Sequence, residues 1–290
     1  MPTVKEYKNK LNSLKNIEKI TRTMKLVAAS KLRQALVNQT NAKNYATELV
    51  ALMSRLAAST EHASHPLLKA HPTVKNILIL ILTSDRGLAG GFNNNLNKKI
   101  FAWIRENRRR FDRIDLSFCG KRGYIFFRSR GNVKTFYEGV TVKPDFLQAS
   151  KIGEELMALY ESGQYDEVYL AYNRFINPLS QLPVIEKFLP IEAQSILSHA
   201  NPLTSDYIFE PNQPELLRVL IPRYFFFRLY YSFLENSAGE HGARMTAMDK
   251  ASQNASELRD RYTLLRNRAR QASITKELIE IVSGAEALKG

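Results

Sequence analysis

The 290-residue sequence has a single cysteine, Cys119, and no long apolar run. One cysteine cannot close a disulfide within the chain, so the sequence excludes a disulfide-stapled fold and suits a reducing compartment. The longest apolar run, residues 77–82, has the length of a strand and falls far short of the roughly 18 residues that cross a bilayer. The first ten residues are charged and contain no apolar core, so we expect neither a signal peptide nor a membrane span.

Motifs of the common enzyme classes are also missing. The sequence has no phosphate-binding loop GxxxxGKS/T, and no GxGxxG, HExxH, GxSxG or CxxC. His62, His65 and His71 are spaced like metal ligands, but no acidic or cysteine ligand accompanies them, which favours a surface loop. Cys119 ends a predicted strand without a histidine to activate it, so a buried structural role is favoured over a nucleophile. The residues therefore predict no catalytic centre, metal site or cofactor.

Glycine and proline do not occur in residues 3–65, so nothing in that stretch stops a helix. Its apolar residues recur every three or four positions, at Val4, Tyr7, Leu11, Leu14, Ile17, Ile20, Met24, Val27, Leu49, Leu52 and Leu56. Residues 243–283 form a second uninterrupted stretch, with a heptad line of Ala251, Ala255, Leu258, Tyr262, Leu265, Ala269 and Ala272. Because each helix has one apolar stripe to bury, we predict that the two pair as a long antiparallel coiled coil.

The middle of the chain alternates between strand and helix patterns. Strands are predicted at residues 74–83, 113–119, 132–136, 167–172 and 183–189, and helices at 88–110, 121–129 and 151–162. This order predicts a central α/β Rossmann-like domain with a mostly parallel sheet, and an α+β chain overall. We interpret the glycines of the loop at residues 83–93 as a tight turn with positive φ, and a nucleotide site or a protein contact remain alternatives. The prolines at 202, 211, 214 and 222 are expected to lead back to the C-terminal helix.

Basic residues outnumber acidic ones by 14, and the excess is greatest near the N-terminus, where residues 1–60 hold 11 Lys and Arg against 3 Glu. This basic helix is either a solvated face or a docking surface for an acidic partner, and nucleic acid is one such partner. Arg108-Arg109-Arg110 closes a predicted helix, where cations offset the helix dipole. An aromatic cluster is predicted to be buried between the base of the coiled coil and the α/β domain, with an oligomer interface as the alternative: Tyr224, Phe225, Phe226, Phe227, Tyr230, Tyr231 and Phe233.

Four separated segments of the sequence are distinctive: residues 19–33 (KITRTMKLVAASKLR), 83–93 (TSDRGLAGGFN), 243–249 (ARMTAMD) and 269–275 (ARQASIT). Together they resemble the gamma subunits of F-type ATP synthases, and the resemblance covers essentially the whole chain. The most specific pattern is Ile274-Thr275-x-Glu277-x2-Glu280-x3-Gly284-Ala285. The chain differs from many members at Ala89, where they carry cysteine, and at Gly239 and Gly242, where they carry helix-favouring residues. Since glycine costs roughly 1 kcal/mol in a helix interior, we expect local softness there.

The resemblance implies the central rotor shaft of a proton- or sodium-driven ATP synthase, a subunit without an active site or cofactor of its own. It would couple rotation of the c-subunit ring to sequential affinity changes at the beta-subunit sites. The implied partners are three alpha and three beta subunits, epsilon and the c ring, with no nucleic acid and no direct membrane span. The implied location is peripheral, on the side of the catalytic head, at the cytoplasmic face of a bacterial inner membrane.

The resemblance also implies roles for individual residues. Met24, Arg270, Gln271 and Thr275 would meet the acidic catch loops of the beta subunits. Tyr207 and Glu210 would contact the c ring, and Leu278, Ile281 and Val282 would run in an apolar sleeve. The implied division of the chain is an N-terminal coiled-coil helix (1–65), an α/β globular domain (74–205), and a foot with the C-terminal coiled-coil helix (206–290).

Overall fold

The computed structural model describes residues 3–58, 65–192 and 212–287. Its elements in chain order are α1 (Val4–Ala58), a 3-10 helix (Pro66–Leu68), β1 (Asn76–Leu82), α2 (Phe92–Asn107), β2 (Arg113–Cys119), α3 (Lys121–Phe127), β3 (Asn132–Tyr137), α4 (Phe146–Glu161), β4 (Glu167–Asn177), β5 (Ser180–Leu189) and α5 (Gln213–Ala287). The chain divides into two compact units, Met1–Ala28 with Met245–Gly290, and Ala29–Arg244, and both long helices contribute to each. Among the described helices, none combines the length and the apolar character that crossing a membrane requires.

The larger unit is built on one five-stranded sheet with the order β3-β2-β1-β4-β5. The first four strands in that order pair in parallel, and β4 and β5 form an antiparallel hairpin. The central strand β1 reads Asn-Ile-Leu-Ile-Leu-Ile-Leu, and its six apolar residues are fully buried. Such a run, buried on both faces, is typical of a parallel sheet covered by helices on each side. The predicted mostly parallel sheet is therefore confirmed.

The two faces of β1 contribute to two separate apolar cores. The isoleucines pack against α2 and α3, together with Phe118 and Phe127. The leucines face the other way, toward α4 and the parts of α1 and α5 that belong to this unit. The aromatic cluster of α5 lies in this second core, where Phe225 and Phe233 are fully buried, so its predicted burial against the α/β domain is confirmed. Cys119 is buried as predicted, and burial raises the pKa of its thiol.

Some predicted boundaries are wrong. The helix expected from residue 88 begins at Phe92, because Leu88 adopts a φ of 63° in the preceding loop. The strand expected to end at residue 172 continues to Asn177 and turns directly into β5. Pro222 does not precede the C-terminal helix but lies inside α5. Burial of the flanking residues Ile221 and Phe225 in the core outweighs the poor helix propensity of proline there.

The close approach of the backbone just after β1 to the backbone just after β2 requires glycine at position 120. Gly120 has a φ of +111°, and a Cβ there would lie 2.1 Å from the carbonyl oxygen of Thr83. The Thr83 hydroxyl donates to the Gly120 carbonyl at 3.1 Å and accepts from the Gly123 N–H at 2.9 Å, which starts α3. In the loop predicted to be a tight turn, Gly90 has a φ of +57°, which confirms the expected positive φ at that glycine.

Gly239 and Gly242 let α5 approach the start of α2 and the β4–β5 hairpin closely. A Cβ at Gly239 would lie 3.0 Å from the Phe92 ring, and one at Gly242 would lie 3.1 Å from the Pro178 Cα atom. Larger residues at these positions would push the helix away from the hairpin. The two glycines thus provide room for packing in a stretch of helix that is mostly buried.

Glu235 is a buried carboxylic acid between α5 and the hairpin. Tyr172 and Arg174 of β4 and Glu186 of β5 lie near its side chain. Arg174 and Arg228 pair with Glu186 at 3.2 and 3.4 Å, so both guanidinium groups bind the neighbouring carboxylate. Burial raises the pKa of Glu235 to about 7, and the nearby Arg174 only partly opposes that rise.

We predict that Gly120→Ala lowers the free energy of unfolding by more than about 3 kcal/mol, because the new Cβ overlaps backbone that has no freedom to move. Gly163→Ala is the matched control, since Gly163 also has a positive φ, +71°, but no atom within 4 Å of its Cβ position. It should cost only about 1 kcal/mol. Urea unfolding of the purified variants measures both, and equal losses would contradict the steric argument.

A second prediction concerns pH. The pKa of Glu235 rises from 4.5 to about 7 on folding, so the folded chain holds a proton that the unfolded chain releases between these values. The resulting stability is complete below about pH 4.5 and is lost as the pH rises through about 7. The free energy of unfolding of Glu235→Gln, taken relative to that of the parent chain, should therefore rise by roughly 2–3 kcal/mol as the pH increases from about 5 to about 8. Unfolding curves at several pH values test this, with the exposed Glu154→Gln as control. Parallel pH curves for parent and Glu235→Gln would refute it.

Candidate functional surface

The smaller unit pairs the two ends of the chain as an antiparallel coiled coil. Tyr7 contacts Tyr262 with ring centroids 6.2 Å apart, Glu18 pairs with Arg259 at 2.6 Å, and the Lys25 Nζ atom lies 2.6 Å from the Asp249 carboxylate. Partners move down one helix as they move up the other, which fixes the antiparallel direction. The predicted coiled coil is therefore confirmed.

The buried line of α1 follows strict alternating steps of three and four. Its members are Val4, Tyr7, Leu11, Leu14, Glu18, Thr21, Lys25 and Ala28, and of the other residues from 3 to 28 only Met24 is even half-buried. The prediction that the seam passes through Ile17, Ile20, Val27 and Leu52 is wrong, since these side chains are 45–58% exposed. Two successive steps of three, from Leu14 to Ile17 to Ile20, rotate the line away from a heptad seam.

The facing line predicted on α5 is partly right. Five of its seven residues, Ala251, Ala255, Tyr262, Leu265 and Ala269, are buried or half-buried, whereas Leu258 and Ala272 are exposed. The prediction left out further residues that are buried or half-buried on this helix, among them Met245, Met248, Ser252, Arg259 and Arg266. The error has the same cause on both helices, because polar residues that pair across the seam were read as outward-facing. The possible pairs Glu18–Arg259 and Lys25–Asp249 were the signal that could have corrected it.

A basic groove runs along the coiled coil beside the Glu18–Arg259 pair. Its volume is about 570 Å³. The lining residues are Lys15, Asn16, Glu18, Lys19, Arg22, Thr23, Leu26 and Arg259. Its four cations and one carboxylate leave a net charge of +3, since Arg259 is already paired with Glu18. The groove can therefore receive acidic side chains of a partner.

Beyond Ala269, α5 continues without a partner helix inside this unit. Since Lys25 lies opposite Asp249, the start of α1 at Val4 lies near residue 270, and the helix continues to Ala287. Every residue from Arg270 to Ala285 is exposed. The exposed set includes five large apolar side chains, Ile274, Leu278, Ile279, Ile281 and Val282. A helix end with this much exposed apolar surface is typical of a binding surface.

The structure brings four of the nine expected site residues onto one face of this helix end. At about 100° per residue, Gln271, Thr275, Leu278 and Val282 lie within roughly 60° of each other. The same spacing places Arg270 and Ile281 together, roughly 60–80° to one side of that face. The face thus combines polar groups nearer the coiled coil with apolar groups nearer the end of the helix.

The other expected site residues do not join that face. Met24 is half-buried on α1, level with residues near Asp249, which places it roughly 30 Å along the helix from Arg270. Tyr207 and Glu210 lie outside the described residues. His62 is also outside them, while the His65 ring nitrogen accepts from the Leu67 N–H at 3.2 Å and so caps the 3-10 helix.

A buried ionic cluster in the larger unit was not predicted. Arg244 pairs with Glu240 at 2.6 Å and donates to the carbonyl of Gly87 at 3.2 Å, so it ties α5 to the loop after β1. Burial raises the pKa of Glu240. Burial, aided by Arg244 and Lys31, lowers the pKa of His241 to about 4. The i,i+4 spacing of Glu240 and Arg244 was the available signal.

Comparisons with known proteins agree with this architecture. A family model described as ATP synthase matches residues 3–288. The ATP synthase gamma chain of Trichlorobacter lovleyi is 40% identical over 290 residues, covering 100% of both chains, and that of Moorella thermoacetica is 42% identical over 291 residues, again covering both fully. The chain belongs to the ATP synthase gamma chain family. This confirms the resemblance seen in the sequence motifs.

Solved structures share the fold of this gamma chain. A chain in the cryo-EM structure of the central stalk and c ring of the Tetrahymena thermophila mitochondrial ATP synthase has a TM-score of 0.60 at 24% identity, covering 80% of this chain and 99% of that one. A chain of the Euglena gracilis mitochondrial ATP synthase has a TM-score of 0.66 at 17% identity, covering 98% and 94%. The fold is therefore shared by chains that are only 17–24% identical to this one.

We predict that Glu18 and Arg259 couple energetically in the gamma chain. A double-mutant cycle with Glu18→Gln and Arg259→Gln should give a coupling of about 0.5–1 kcal/mol, because the pair is half-buried in the seam. The control pair is Lys276 and Glu280, whose side chains are 78% and 63% exposed and should couple by about 0.3 kcal/mol or less. Urea unfolding measures both cycles. A coupling at Glu18–Arg259 no larger than the control would contradict a register-setting role.

Proposed function

We propose that this chain is the central rotor shaft of a proton- or sodium-driven ATP synthase. It couples rotation of a c-subunit ring to sequential affinity changes at beta-subunit sites and has no active site of its own. Membership of the ATP synthase gamma chain family supports the assignment of this chain to an ATP synthase complex. The observation that carries the mechanical role is the unpaired end of α5, where every residue from Arg270 to Ala285 is exposed, large apolar ones included.

The coupling follows from the asymmetry of the coiled coil. Two helices of different sequence have no threefold symmetry, so they contact each of three identical subunits differently at any moment. A contact shifts a subunit between open and closed states only by its difference in free energy between them, and about 1.4 kcal/mol changes an affinity tenfold. Several modest contacts along the helices supply that amount. The shaft makes and breaks no covalent bond.

The proposal assigns two kinds of contact to the exposed face of α5. Arg270, Gln271 and Thr275 bond to the acidic catch loops of the beta subunits, and Met24 meets them on α1. The support for Gln271 and Thr275 is exposure on one face, and the support for Arg270 is exposure beside it. The net positive charge of the basic groove also complements acidic loops. These contacts are polar and directional.

Leu278, Ile281 and Val282 run in an apolar sleeve at the end of the helix. These three side chains are 57–68% exposed, and an enclosing apolar partner would remove that surface from water. Tyr207 and Glu210 contact the polar loops of the c ring. In this proposal the first helix of the shaft is residues 1–65 and the globular body is residues 74–205. The foot and the second helix of the shaft are residues 206–290.

The partners in this proposal are three alpha and three beta subunits, epsilon and the c ring. The chain works as a peripheral subunit on the side of the catalytic head, at the cytoplasmic face of a bacterial inner membrane. Support comes from the relatives, which are named ATP synthase gamma chains, and from a fold shared with a chain of a central stalk and c-ring assembly.

Coupling assays on reconstituted complexes test the proposal. Gln271→Ala with Thr275→Ala should lower ATP hydrolysis and ATP-driven ion pumping on the order of tenfold, since each lost bond removes about 1 kcal/mol. Leu278→Ser, Ile281→Ser and Val282→Ser together should weaken pumping by a similar factor. The matched control is Lys276→Ser with Glu280→Ser, which changes the opposite side of the same helix and should leave both rates unchanged.

Stability of the isolated chain should be the same for all these variants, because the substituted side chains are exposed. Full activity of the Gln271/Thr275 and apolar variants would contradict the assigned contacts. Turnover of ATP by the purified chain alone would contradict the absence of an active site.

A further inference from the structure

Exposed arginines are concentrated at the edge of the sheet where the parallel strands begin. Asn76 of β1 pairs with Arg113 of β2, and Asp115 of β2 pairs with Asn132 of β3, so the loops that precede β2 and β3 lie side by side. The first loop carries Arg108, Arg109 and Arg110, and the second carries Arg128 and Arg130. We call these five residues the arginine edge.

The arginine edge has little negative charge to balance it. All five side chains are exposed, and within the described part of the chain no salt bridge reaches any of them. The nearby Asp166 accepts from the backbone N–H groups of Lys75 and Asn76, and Asp115 pairs with Arg113. Exposed Asp112 is the one further acid in these two loops.

Helix capping explains only part of this charge. Arg108 caps α2 and Arg128 caps α3, where a cation interacts favourably with the end of the helix dipole, but that effect fades within one turn. Arg110 lies over the Phe111 ring at 5.1 Å and Arg130 over the Phe126 ring at 4.7 Å. These contacts orient two guanidinium groups without neutralising them. Five cations on two adjacent short loops form a surface that a row of phosphates would complement.

We propose that the arginine edge binds the phosphate headgroups of an anionic phospholipid bilayer. Guanidinium groups bind phosphate oxygens through two parallel hydrogen bonds, and a bilayer presents many phosphates in one plane. A lipid surface is favoured over RNA because Phe111 is buried and Phe126 is half-buried beneath Arg130, which leaves no exposed ring at this edge for bases to stack on. The preference for a bilayer also rests on the proposed function, which places the chain beside a membrane-embedded ring.

Sedimentation of the full-length chain with lipid vesicles tests the proposal. Binding should be strong to vesicles in which about a third of the lipid is phosphatidylglycerol, weak to pure phosphatidylcholine, and should fall as salt is added. The variant Arg108→Gln, Arg109→Gln, Arg110→Gln should bind the anionic vesicles roughly a hundredfold more weakly, since each cation near such a surface strengthens binding about fivefold. Circular dichroism checks that the variant is folded.

The matched control removes three charges elsewhere, with Lys5→Gln, Lys8→Gln and Lys10→Gln on the exposed basic arm of α1. It should bind vesicles almost as well as the parent chain. Unchanged binding of the arginine variant, or an equal loss in the lysine variant, would overturn the proposal, as would tighter binding to single-stranded RNA than to vesicles at equal phosphate concentration. No alpha, beta or c subunit is present in this assay, so its failure leaves the coupling assays of the proposed function unaffected.

Discussion

The pairing of α1 with α5 depends on a seam that mixes large apolar residues with small and charged ones. On α1, Glu18, Thr21, Lys25 and Ala28 occupy consecutive seam positions, and on α5 the buried positions are Met248 and Ala255. Small residues let the helices approach closely but bury little apolar area. Ion pairs and one tyrosine contact therefore have to define which residues face each other. This register has a structural consequence, because it leaves the last turns of α5 without a partner helix.

The larger unit is stabilised in the opposite way. Its sheet is covered on both faces, and β1 is apolar at six successive positions. Close backbone approaches at Gly120, Gly239 and Gly242 add packing that larger residues would prevent. Of its buried acids, Glu240 pairs with Arg244, whereas Glu235 keeps its proton up to about pH 7 because burial raises its pKa. The unit is thus specified by dense apolar packing, and the coiled coil by the positions of its charges.

Sequence reasoning predicted the parts of the fold that depend on periodicity. The strand Arg113–Cys119 has the predicted bounds, and the antiparallel helix pairing followed from two stretches without glycine or proline. It failed at the seam, because Ile17 and Ile20 are apolar yet exposed, while Glu18 and Lys25 are polar yet half-buried. Hydrophobicity alone cannot distinguish a helix stripe that faces its own partner helix from one that faces solvent or another protein. The exposed face of α5 came from motif resemblance, and the cluster around Arg244 was missed because its members meet only in the folded chain.

On the proposed function, the two kinds of side chain at the end of α5 have different physical tasks. Apolar attraction is non-directional and depends on the area removed from water, so a helix can turn within an apolar sleeve while its total contact area changes little. Hydrogen bonds from Gln271 and Thr275 depend on distance and angle, so they form at some orientations and break at others. A shaft needs both, because the first keeps the helix centred and the second makes the energy depend on the angle of rotation. Gln271 and Thr275 precede the apolar turns along one face of the helix. On this proposal, the energy of their hydrogen bonds therefore changes with the angle of rotation, while the apolar turns keep the helix centred.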